Sequence, residues 1–524
     1  MPFLNSEERT TARAIADLAH ANPFQRERVD AERQILGPDF RGQEAAWHRR
    51  PESTGRRTNV DLIARRVETL VEALHARLRE GARPSEDEAR LYEEVVAYHL
   101  FQQVDRELGE VIERGSSVAT PARAWGPFRD NFARLHDAPG LTDTAPPNGD
   151  DPVRDPAHLF ACFFQLRRAF HYIFSLFVGA SAPAIDLRAR VWQSIFTHDM
   201  RRYRRSLYRR MGDVTTLITG PSGSGKELVA RAIGLARYIP FDEDRRTFRA
   251  EWEQGFQALN LSALSPTLIE SELFGHCRGA FTGAVRDRAG WLETCPDHGA
   301  VFLDEIGDLD ESIQVKLLRV IEDRTFQRLG ETKPRTFRGK ILAATNRDLA
   351  RDMFEGRFRR DFYYRLCSDL LETPSLRSRI EDRPAELDDL VAFLAARNAG
   401  AAEAADLARE VLQFIEKDLG RDHAWPGNVR ELDQCVRNVL VQGEYAPPRG
   451  LSRDPIARLT EDVAGARLDA GELLSRYATL VYARVGSYEE TGRRLGLDRR
   501  TVKSKIDANL LDELRGRTGN VRSC

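Results

Sequence analysis

The feature that most constrains the fold of this 524-residue chain is a glycine-rich loop between an apolar run and a helical pattern, in TTLITGPSGSGKELVARAIG at 215–234. Glycines let backbone N–H groups approach phosphate oxygens, and a lysine at the end of such a loop reaches the β- and γ-phosphates of a nucleotide. The loop therefore predicts an α/β domain that binds ATP. The predicted nucleotide-binding residues of the loop are Gly220, Pro221, Ser222, Gly223, Ser224, Gly225, Lys226 and Glu227.

Two adjacent carboxylates follow a second apolar run, where Ala300–Leu303 leads into Asp304 and Glu305. In an ATPase such a pair is typically divided between Mg²⁺, here Asp304, and the attacking water, here Glu305. A further apolar run ends in Thr345 and Asn346, where a polar group can sense the γ-phosphate. Together with the loop, these residues predict ATP hydrolysis with Mg²⁺ as a cofactor.

Four short apolar runs, TTLITG, FQALNL, AVFLDE and GKILAATN, alternate with helical segments from about residue 191. This alternation is typical of a parallel α/β sheet whose chemistry lies at the carboxyl ends of its strands. Helical periodicity on both sides predicts a multidomain chain: a helical N-terminal region, an α/β P-loop ATPase core with a helical lid, and an all-α C-terminal domain. The predicted boundaries are 1–136 for the helical region, which is predicted to be regulatory, 137–156 for a linker, 157–190 for a second helical segment of that region, 191–370 for the core, 371–443 for the lid, 444–468 for a linker and 469–524 for the last domain.

Two segments are harder to interpret. The aromatic-rich run LFACFFQLRRAFHYIFSLFVGA at 159–180 predicts a buried helix pair, with a ligand pocket as the alternative. The charged stretch GLARYIPFDEDRRTFRAEWEQGFQALN at 234–260, between the loop helix and the next strand, is predicted to be a surface insertion.

The hexapeptide GAFTGA at 279–284 makes a resemblance specific. Gly279, Ala280, Phe281, Thr282, Gly283 and Ala284 match the hexapeptide of the sigma-54-dependent transcriptional activators, also called bacterial enhancer-binding proteins. The motifs LIESELFGHCRGAFTGA, AVFLDEIGDL, QVKLLRVIEDRTFQRLG, FRRDFYYRL and WPGNVRELDQCV resemble that family from about 191 to 442. The resemblance implies an AAA+ ATPase that works as a homo-oligomeric ring, usually a hexamer, and remodels RNA polymerase bound to sigma-54. The glycines suit a mobile loop whose tip presents an apolar contact.

The same resemblance implies roles for residues outside the loop. Asn260 matches the switch asparagine that holds the catalytic glutamate, and Thr345 with Asn346 matches the first sensor. Arg359 and Arg365 match the arginines offered to the nucleotide of a neighbouring subunit, where a cation can speed hydrolysis by roughly 10³–10⁵. Arg430 matches the second sensor on the lid. Glu227 also fits this family's form of the loop, GKE.

A helix-turn-helix is predicted near the C-terminus. Ser487–Glu490 has the pattern of a capping box, the first helix stops near Gly496, and Asp498 caps the second helix. Arg493 and Arg494 are expected to contact phosphates of double-stranded DNA. The candidates for contacts with base edges are Arg499, Arg500, Thr501, Lys503 and Ser504.

Composition limits the other possibilities. Lys plus Arg (79) nearly balances Asp plus Glu (81), so DNA contacts must come from a local basic patch. Six cysteines without a CxxC pair argue against a disulfide scaffold or zinc knuckle and favour a reducing compartment. The polar start MPFLNSEERT does not resemble a signal peptide, and the polar residues within 159–180 are too many for a membrane span. We therefore expect a soluble, cytoplasmic bacterial protein.

Two alternatives to a sigma-54 activator remain: an AAA+ protein-remodelling ATPase that does not act on sigma-54, and a DNA-binding regulator that has lost its ATPase activity. The first gives no reason for GAFTGA or a basic helix-turn-helix, and the intact Lys226, Asp304 and Glu305 argue against the second. The N-terminal 190 residues lack the pattern of a phosphate-accepting receiver domain. A helical sensor, a partner-binding region and a structural cap all remain open there.

Overall fold

A computed structural model describes residues 3–42, 56–115, 122–138, 141, 152–447, 455–464, 468–507, 510–511 and 514. The chain divides into two compact units. The first comprises 1–418 and 427–436, and the second comprises 419–426 and 437–524. The predicted linker at 137–156 lies largely outside the described residues.

The first unit begins with the predicted helical region. Its helices start at side-chain caps: Asn5 and Glu8 form a reciprocal capping box on the first helix, and Ser85 and Glu88 form another on the fourth. The buried faces of these helices meet in one core. The helices are α1 (Ser6–His20), α2 (Arg26–Leu36), α3 (Arg56–Arg79), α4 (Glu86–Arg114) and α5 (Ala122–His136).

The aromatic-rich run forms one helix rather than the predicted pair. This helix, α6 (Pro156–Leu176), is capped by Asp155 and continues without a break to Phe177. The chain turns only at Gly179, which has φ 121°, and then forms α7 (Ala182–Phe196) and α8 (Met200–Arg205). Because α6 packs against other helices and against the nucleotide domain, its aromatic residues do not need a second helix of the run itself to bury them.

A five-stranded parallel sheet forms the centre of the first unit, in the order β11-β1-β10-β7-β4. The four predicted strands are β1 (Thr216–Thr219), β4 (Phe256–Asn260), β7 (Ala300–Asp304) and β10 (Lys340–Thr345). The fifth, β11 (Asp369–Glu372), was not predicted. The helices of this α/β core are α9 (Lys226–Leu235), α10 (Pro266–Phe274), α11 (Trp291–Thr294), α12 (Glu311–Asp323), α13 (Leu349–Phe354) and α14 (Arg360–Leu366). The α/β ATPase-type core is thereby confirmed.

Three small antiparallel hairpins project from this sheet. They are β2 (Phe241–Asp242) with β3 (Thr247–Phe248), β5 (Gly275–His276) with β6 (Arg288–Ala289), and β8 (Thr325–Phe326) with β9 (Arg335–Thr336). The second of these hairpins carries the hexapeptide between its strands.

The charged stretch at 234–260 is not a mere surface insertion. Phe241, Phe248 and Trp252 are at most 8% exposed and belong to the core of the helical region. Phe248 stacks on Phe164 of α6 with ring centroids 4.0 Å apart. Burial of these aromatic rings is favourable. It does not require burial of the neighbouring charged side chains, which stay at the surface. The stretch therefore joins the nucleotide domain to the helical region.

The segment predicted as the helical lid contains α15 (Leu376–Asp382), α16 (Ala385–Phe414) and α17 (Asn428–Gln442). The helical run of α16 is broken at Gly400, where φ is 80°.

The second unit contains α18 (Pro455–Ala464), α19 (Ala470–Val485), α20 (Tyr488–Leu495) and α21 (Arg499–Lys505). Helix α18 falls within the stretch predicted as a linker. The capping box predicted at Ser487 forms only in part. Ser487 accepts a hydrogen bond from the backbone of Glu490, but the Glu490 carboxylate turns to Arg493 and Arg494 instead of the cap.

Candidate active site

The glycine-rich loop connects β1 to α9 at the carboxyl edge of the sheet. Gly220, Gly223 and Gly225 have φ values of 136°, 76° and 98°. A Cβ atom on Gly220 would lie 2.2 Å from the hydroxyl of Thr373, and one on Gly223 would lie 2.2 Å from the carbonyl oxygen of Gly427. Other residues would therefore be both strained and obstructed at these positions.

Lys226 is 7% exposed, and its ammonium group donates hydrogen bonds to the carbonyl oxygens of Gly220 (3.0 Å) and Pro221 (3.3 Å). Burial holds the pKa of Lys226 below its usual value, against the opposing charges of Glu305 and Asp304. The negative charges of Glu305 and Asp304 therefore act on the Lys226 ammonium group and partly offset the effect of burial on its pKa. Glu227 is exposed and faces Arg231 at 3.9 Å.

Asp304 and Glu305 lie at the end of β7, beside Asn260, which pairs with Asp304 in the register of β4 and β7. Asp304 accepts a hydrogen bond from the backbone N–H of Glu305 (3.0 Å). Glu305 has a positive φ of 57°, a left-handed conformation that turns its side chain out of the strand direction. The side-chain oxygen of Asn260 accepts two hydrogen bonds from Ser262.

The two residues predicted as the first sensor differ in their surroundings. Thr345 is fully buried, and its hydroxyl oxygen accepts a hydrogen bond from the backbone of Arg347 (3.0 Å). Asn346 is exposed, and its backbone N–H donates to the Glu305 carboxylate (3.4 Å). Of these two residues, only Asn346 is therefore accessible to solvent.

The lid reaches the loop through the start of α17. Arg430 donates from its guanidinium group to the Ser222 hydroxyl (3.2 Å) and from its backbone N–H to the Gly223 carbonyl oxygen (3.3 Å). Asn428 donates from its side chain to the Ser222 carbonyl oxygen (2.9 Å) and accepts from the backbone of Leu376 (2.8 Å).

Asn428 and Thr373 are two residues that the sequence analysis missed. Thr373 is 1% exposed, and its hydroxyl lies 2.6 Å from that of Ser224 and 3.1 Å from the carbonyl oxygen of Thr219. The sequence gives only weak signals for them. Thr373 directly follows the run DLLE, and Asn428 lies at the start of a helical pattern in WPGNVREL.

Arg359 and Arg365 lie at opposite ends of α14 on the surface of the unit. Arg359 pairs with Glu311 (2.9 Å) and Asp361 (2.7 Å), and Arg365 pairs with Glu322 (2.7 Å). Their side chains are 35% and 62% exposed, so both remain accessible to another molecule.

The hexapeptide forms a closed loop, since the N–H of Gly279 donates to the carbonyl oxygen of Ala284 (2.8 Å). Gly279 and Gly283 have φ values of 80° and 102°. Thr282 is exposed, whereas Phe281 is half-buried with its ring edge-on to His276 at 5.0 Å.

The β8–β9 hairpin lies beside the hexapeptide. The backbone of Cys277 donates to the Leu329 carbonyl oxygen (3.0 Å), and the Leu329 N–H donates to Gly275 (2.9 Å). Glu293 stabilises the β8–β9 hairpin by accepting charge-assisted hydrogen bonds from Arg328 and Arg335 (2.6–2.8 Å). Backbone hydrogen bonds therefore join the two hairpins, and neither hairpin contains a residue predicted to bind the nucleotide.

In the second unit, Asp498 caps α21 by accepting hydrogen bonds from Arg500 and Thr501. Val502 is fully buried, while four of the five candidate base-contact residues are exposed: Arg499, Arg500, Lys503 and Ser504. The hydroxyl of Thr501 donates to Asp498 (2.5 Å). The exposed face of α21 is therefore basic, as a groove-binding helix requires.

No helix among the described residues is long and apolar enough to cross a membrane. The five cysteines of the described chain are all free.

The sequence of the chain is similar to that of known proteins. Residues 196–371 match the family model of the sigma-54 interaction domain. The chain is 39% identical over 303 residues to the transcriptional regulatory protein ZraR of Escherichia coli (strain K12), covering 56% of this chain and 63% of ZraR. It is 40% identical over 230 residues to the Nif-specific regulatory protein of Azotobacter vinelandii, covering 44% of this chain and 40% of that protein. The chain thus spans less than two thirds of the length of these relatives.

Among solved structures, a crystal structure of NtrX from Brucella abortus in complex with ATP aligns with 25% identity and a TM-score of 0.38. The alignment covers 70% of this chain and 76% of that one.

Proposed function

We propose that this chain, whose residues 196–371 match the sigma-54 interaction domain, is an ATP-driven transcription activator that binds DNA and remodels sigma-54 RNA polymerase. The observation that carries the proposal is the hexapeptide loop. It is intact, closed by its own hydrogen bond, and held on paired hairpins apart from the nucleotide residues.

The residues at the carboxyl edge of the sheet fit a nucleotide with magnesium. The left-handed glycines keep the loop free of side chains, so its N–H groups can bind phosphate oxygens. Asp304 would hold Mg²⁺, which neutralises phosphate charge when bound. Lys226 would exchange its two carbonyl partners for phosphate oxygens.

For hydrolysis, Glu305 would accept a proton from the attacking water, and Asn260 would hold that carboxylate in the resting state. Asn346 would contact the γ-phosphate, since its side chain is exposed next to Glu305 while Thr345 is engaged elsewhere. The proton transfer needs the Glu305 carboxylate within hydrogen-bond reach of the water.

Arg359 and Arg365 would complete the site of a neighbouring subunit in a ring, most simply a hexamer. Each arginine is now neutralised by a carboxylate of its own chain, so assembly would require an exchange of partners. This exchange would make hydrolysis depend on assembly, because the arginine cation stabilises the transition state only in the ring. Arg430 would report the nucleotide state to the lid through Ser222.

The exposed basic face of α21 would enter the major groove of enhancer-like DNA, with Arg499 and Arg500 at base edges. Arg493 and Arg494, which now pair with Glu490, would bind phosphates. DNA binding would concentrate the activator near its promoter.

The decisive experiment separates ATP hydrolysis from transcription. We expect Phe281→Ala and Thr282→Ala to keep wild-type ATPase rates and DNA binding but to lose open-complex formation by sigma-54 polymerase. They should also fail to bind sigma-54 when the wild type is trapped with a transition-state mimic of ATP. Val285→Ala is the matched control, since Val285 is 82% exposed directly after the hexapeptide.

If Phe281→Ala supports sigma-54 transcription as well as the wild type, the proposed function is wrong. A protein-remodelling ATPase with no role for sigma-54 would give a different result, in which the wild type hydrolyses ATP but drives no open-complex formation by sigma-54 polymerase.

A further inference from the structure

A cavity of about 350 Å³ lies inside the helical region of the first unit, between α1, α4, α6, α7 and α8. Its volume falls within the range of binding sites for small organic ligands. Glu113, which lines the cavity, is exposed, so the cavity reaches solvent at that point.

Aromatic side chains line one part of the cavity, and charged residues such as Arg28, Asp105 and Arg167 also line it. Phe101 lies edge-on to Phe163 with centroids 5.3 Å apart, and Trp192 contacts Phe170 (5.0 Å) and Phe196 (4.7 Å). These contacts hold the rings against one another, which leaves a preformed apolar space. Such a space favours a flat apolar ligand, since rings prefer offset or edge-on contacts with other rings.

Two residues that line the cavity, Trp192 and Arg204, carry hydrogen-bond donors without partners. Trp192, 3% exposed, has no hydrogen-bond partner for its indole N–H among the described residues, and neither has the Nε atom of Arg204. A buried donor without a partner is unfavourable, and it is satisfied by an acceptor oxygen that enters the cavity.

The charges near these donors are paired. Glu94 interacts with Arg204 (3.3 Å), Arg201 (3.5 Å) and His20, and Arg201 also pairs with Asp17 (3.3 Å), so two guanidinium groups face two carboxylates. Burial raises the pKa of Glu94, but the hydrogen bond of His20 and the arginine charges outweigh it and hold that pKa at about 2. Burial also lowers the pKa of His20 below its usual value. A ligand carboxylate would therefore be held by hydrogen bonds from the two donors without partners, Trp192 and Arg204, of which the bond from Arg204 is charge-assisted.

We infer that this cavity is a binding site for a small aromatic acid, with its ring system between Phe101, Phe170 and Trp192 and its carboxylate against Arg204. This inference concerns binding alone and does not depend on the proposed function.

The test uses the full chain and 2-naphthoate as the probe, with isothermal titration calorimetry. We expect saturable binding of one molecule per chain, and at least tenfold weaker binding of 2-naphthylmethanol, which has the same rings without the charge. Arg204→Gln and Trp192→Phe should each weaken 2-naphthoate binding at least threefold. Arg205→Gln, an exposed arginine of the same helix that does not line the cavity, should bind as the wild type does.

Three results would overturn the inference: no saturable binding of 2-naphthoate, equal affinity for the acid and the alcohol, or affinity unchanged in both Arg204→Gln and Trp192→Phe. Ala97→Leu adds a steric arm, because Ala97 lines the cavity and its enlargement should weaken both probes. If Ala97→Leu does not fold, the comparison of acid with alcohol and the two polar variants still decides the question.

Discussion

The side-chain amide of Asn428 donates a hydrogen bond of 2.9 Å to the carbonyl oxygen of Ser222, and so ties the lid to the phosphate-binding loop. Asn428 is 4% exposed and has a φ of 54°, a conformation that asparagine tolerates better than most residues. Its oxygen also fixes the start of α15 by accepting from Leu376. One residue therefore joins the loop, the lid and the segment that follows β11.

Asn428→Asp keeps the acceptor for Leu376 but loses the donor to Ser222. We expect ATP binding to weaken by about 1–2 kcal/mol, since a buried carbonyl oxygen loses its partner and a carboxylate faces it. Fluorescent ATP-analogue titration measures the change. Asn428→Gly, which accepts the left-handed φ without either bond, serves as the control for backbone strain; an unaltered affinity in both variants would show that the lid does not act through this residue.

Substitutions of Lys226 and Glu305 should change different steps, ATP binding for Lys226 and ATP hydrolysis for Glu305. Lys226→Ala should weaken ATP binding, because the ammonium group meets phosphates in the ground state. Glu305→Gln should still bind ATP but hydrolyse it at least a hundredfold more slowly, because the carboxylate acts on the water. Binding and single-turnover hydrolysis are measured on the same preparations. Wild-type turnover in Glu305→Gln would remove Glu305 from the mechanism.

The sequence predicted the central strands and the glycine-rich turn between β1 and α9 because each of their signals is local. An apolar run followed by glycine or an acid marks a buried strand and the loop after it, as at Thr216–Thr219 and Ala300–Asp304. The edge strand β11 pairs on one side only, and Leu370 within it is 51% exposed. Its sequence therefore lacks the continuous apolar run that revealed the others.

The parts that sequence analysis misjudged depend on distant partners. The rings of Phe241, Phe248 and Trp252 alternate with charges, so nothing nearby in the sequence shows that α6 buries them. Asn428 and Thr373 act on a loop 149 to 206 positions away. Such contacts follow from the folded arrangement, not from periodicity.

The buried rings of the 234–260 stretch lead to a stability prediction. Phe248→Ala should lower the free energy of unfolding of the first unit by about 3–5 kcal/mol, because it leaves a cavity against Phe164. Thermal and urea unfolding measure the loss. Phe354→Ala is the matched control, since Phe354 is 90% exposed and its removal should change stability little. Equal small effects for both would mean that the stretch does not anchor the helical region.

The two classes of arginine in the second unit should affect DNA binding differently. Arg499→Ala or Arg500→Ala should reduce the preference for specific sites by about 1–3 kcal/mol, because base contacts carry sequence information. Arg493→Ala should weaken binding to all sequences and flatten the salt dependence, as phosphate contacts do. Titrations with specific and random duplexes at several salt concentrations measure both. Equal losses on both duplexes for all three variants would mean that α21 is not the recognition helix.

Helix α7 connects the cavity of the helical region to the central sheet. Trp192 lines the cavity, while Ser194, two residues on, donates a hydrogen bond to Asp369 of β11 (2.5 Å) and lies 3.3 Å from the hydroxyl of Thr216 of β1. A ligand held against Trp192 would restrain the helix that positions Ser194, and β1 leads directly into the glycine-rich loop.

We therefore expect saturating 2-naphthoate to change the ATP hydrolysis rate of the full chain at least twofold. Ser194→Ala should bind 2-naphthoate with wild-type affinity but lose most of that change, because the link between α7 and the sheet is removed while the cavity is intact. Calorimetry and steady-state ATPase assays on the same preparations test both halves of the expectation. Wild-type protein that binds 2-naphthoate yet hydrolyses ATP at an unchanged rate would show that the cavity is not coupled to the sheet through α7.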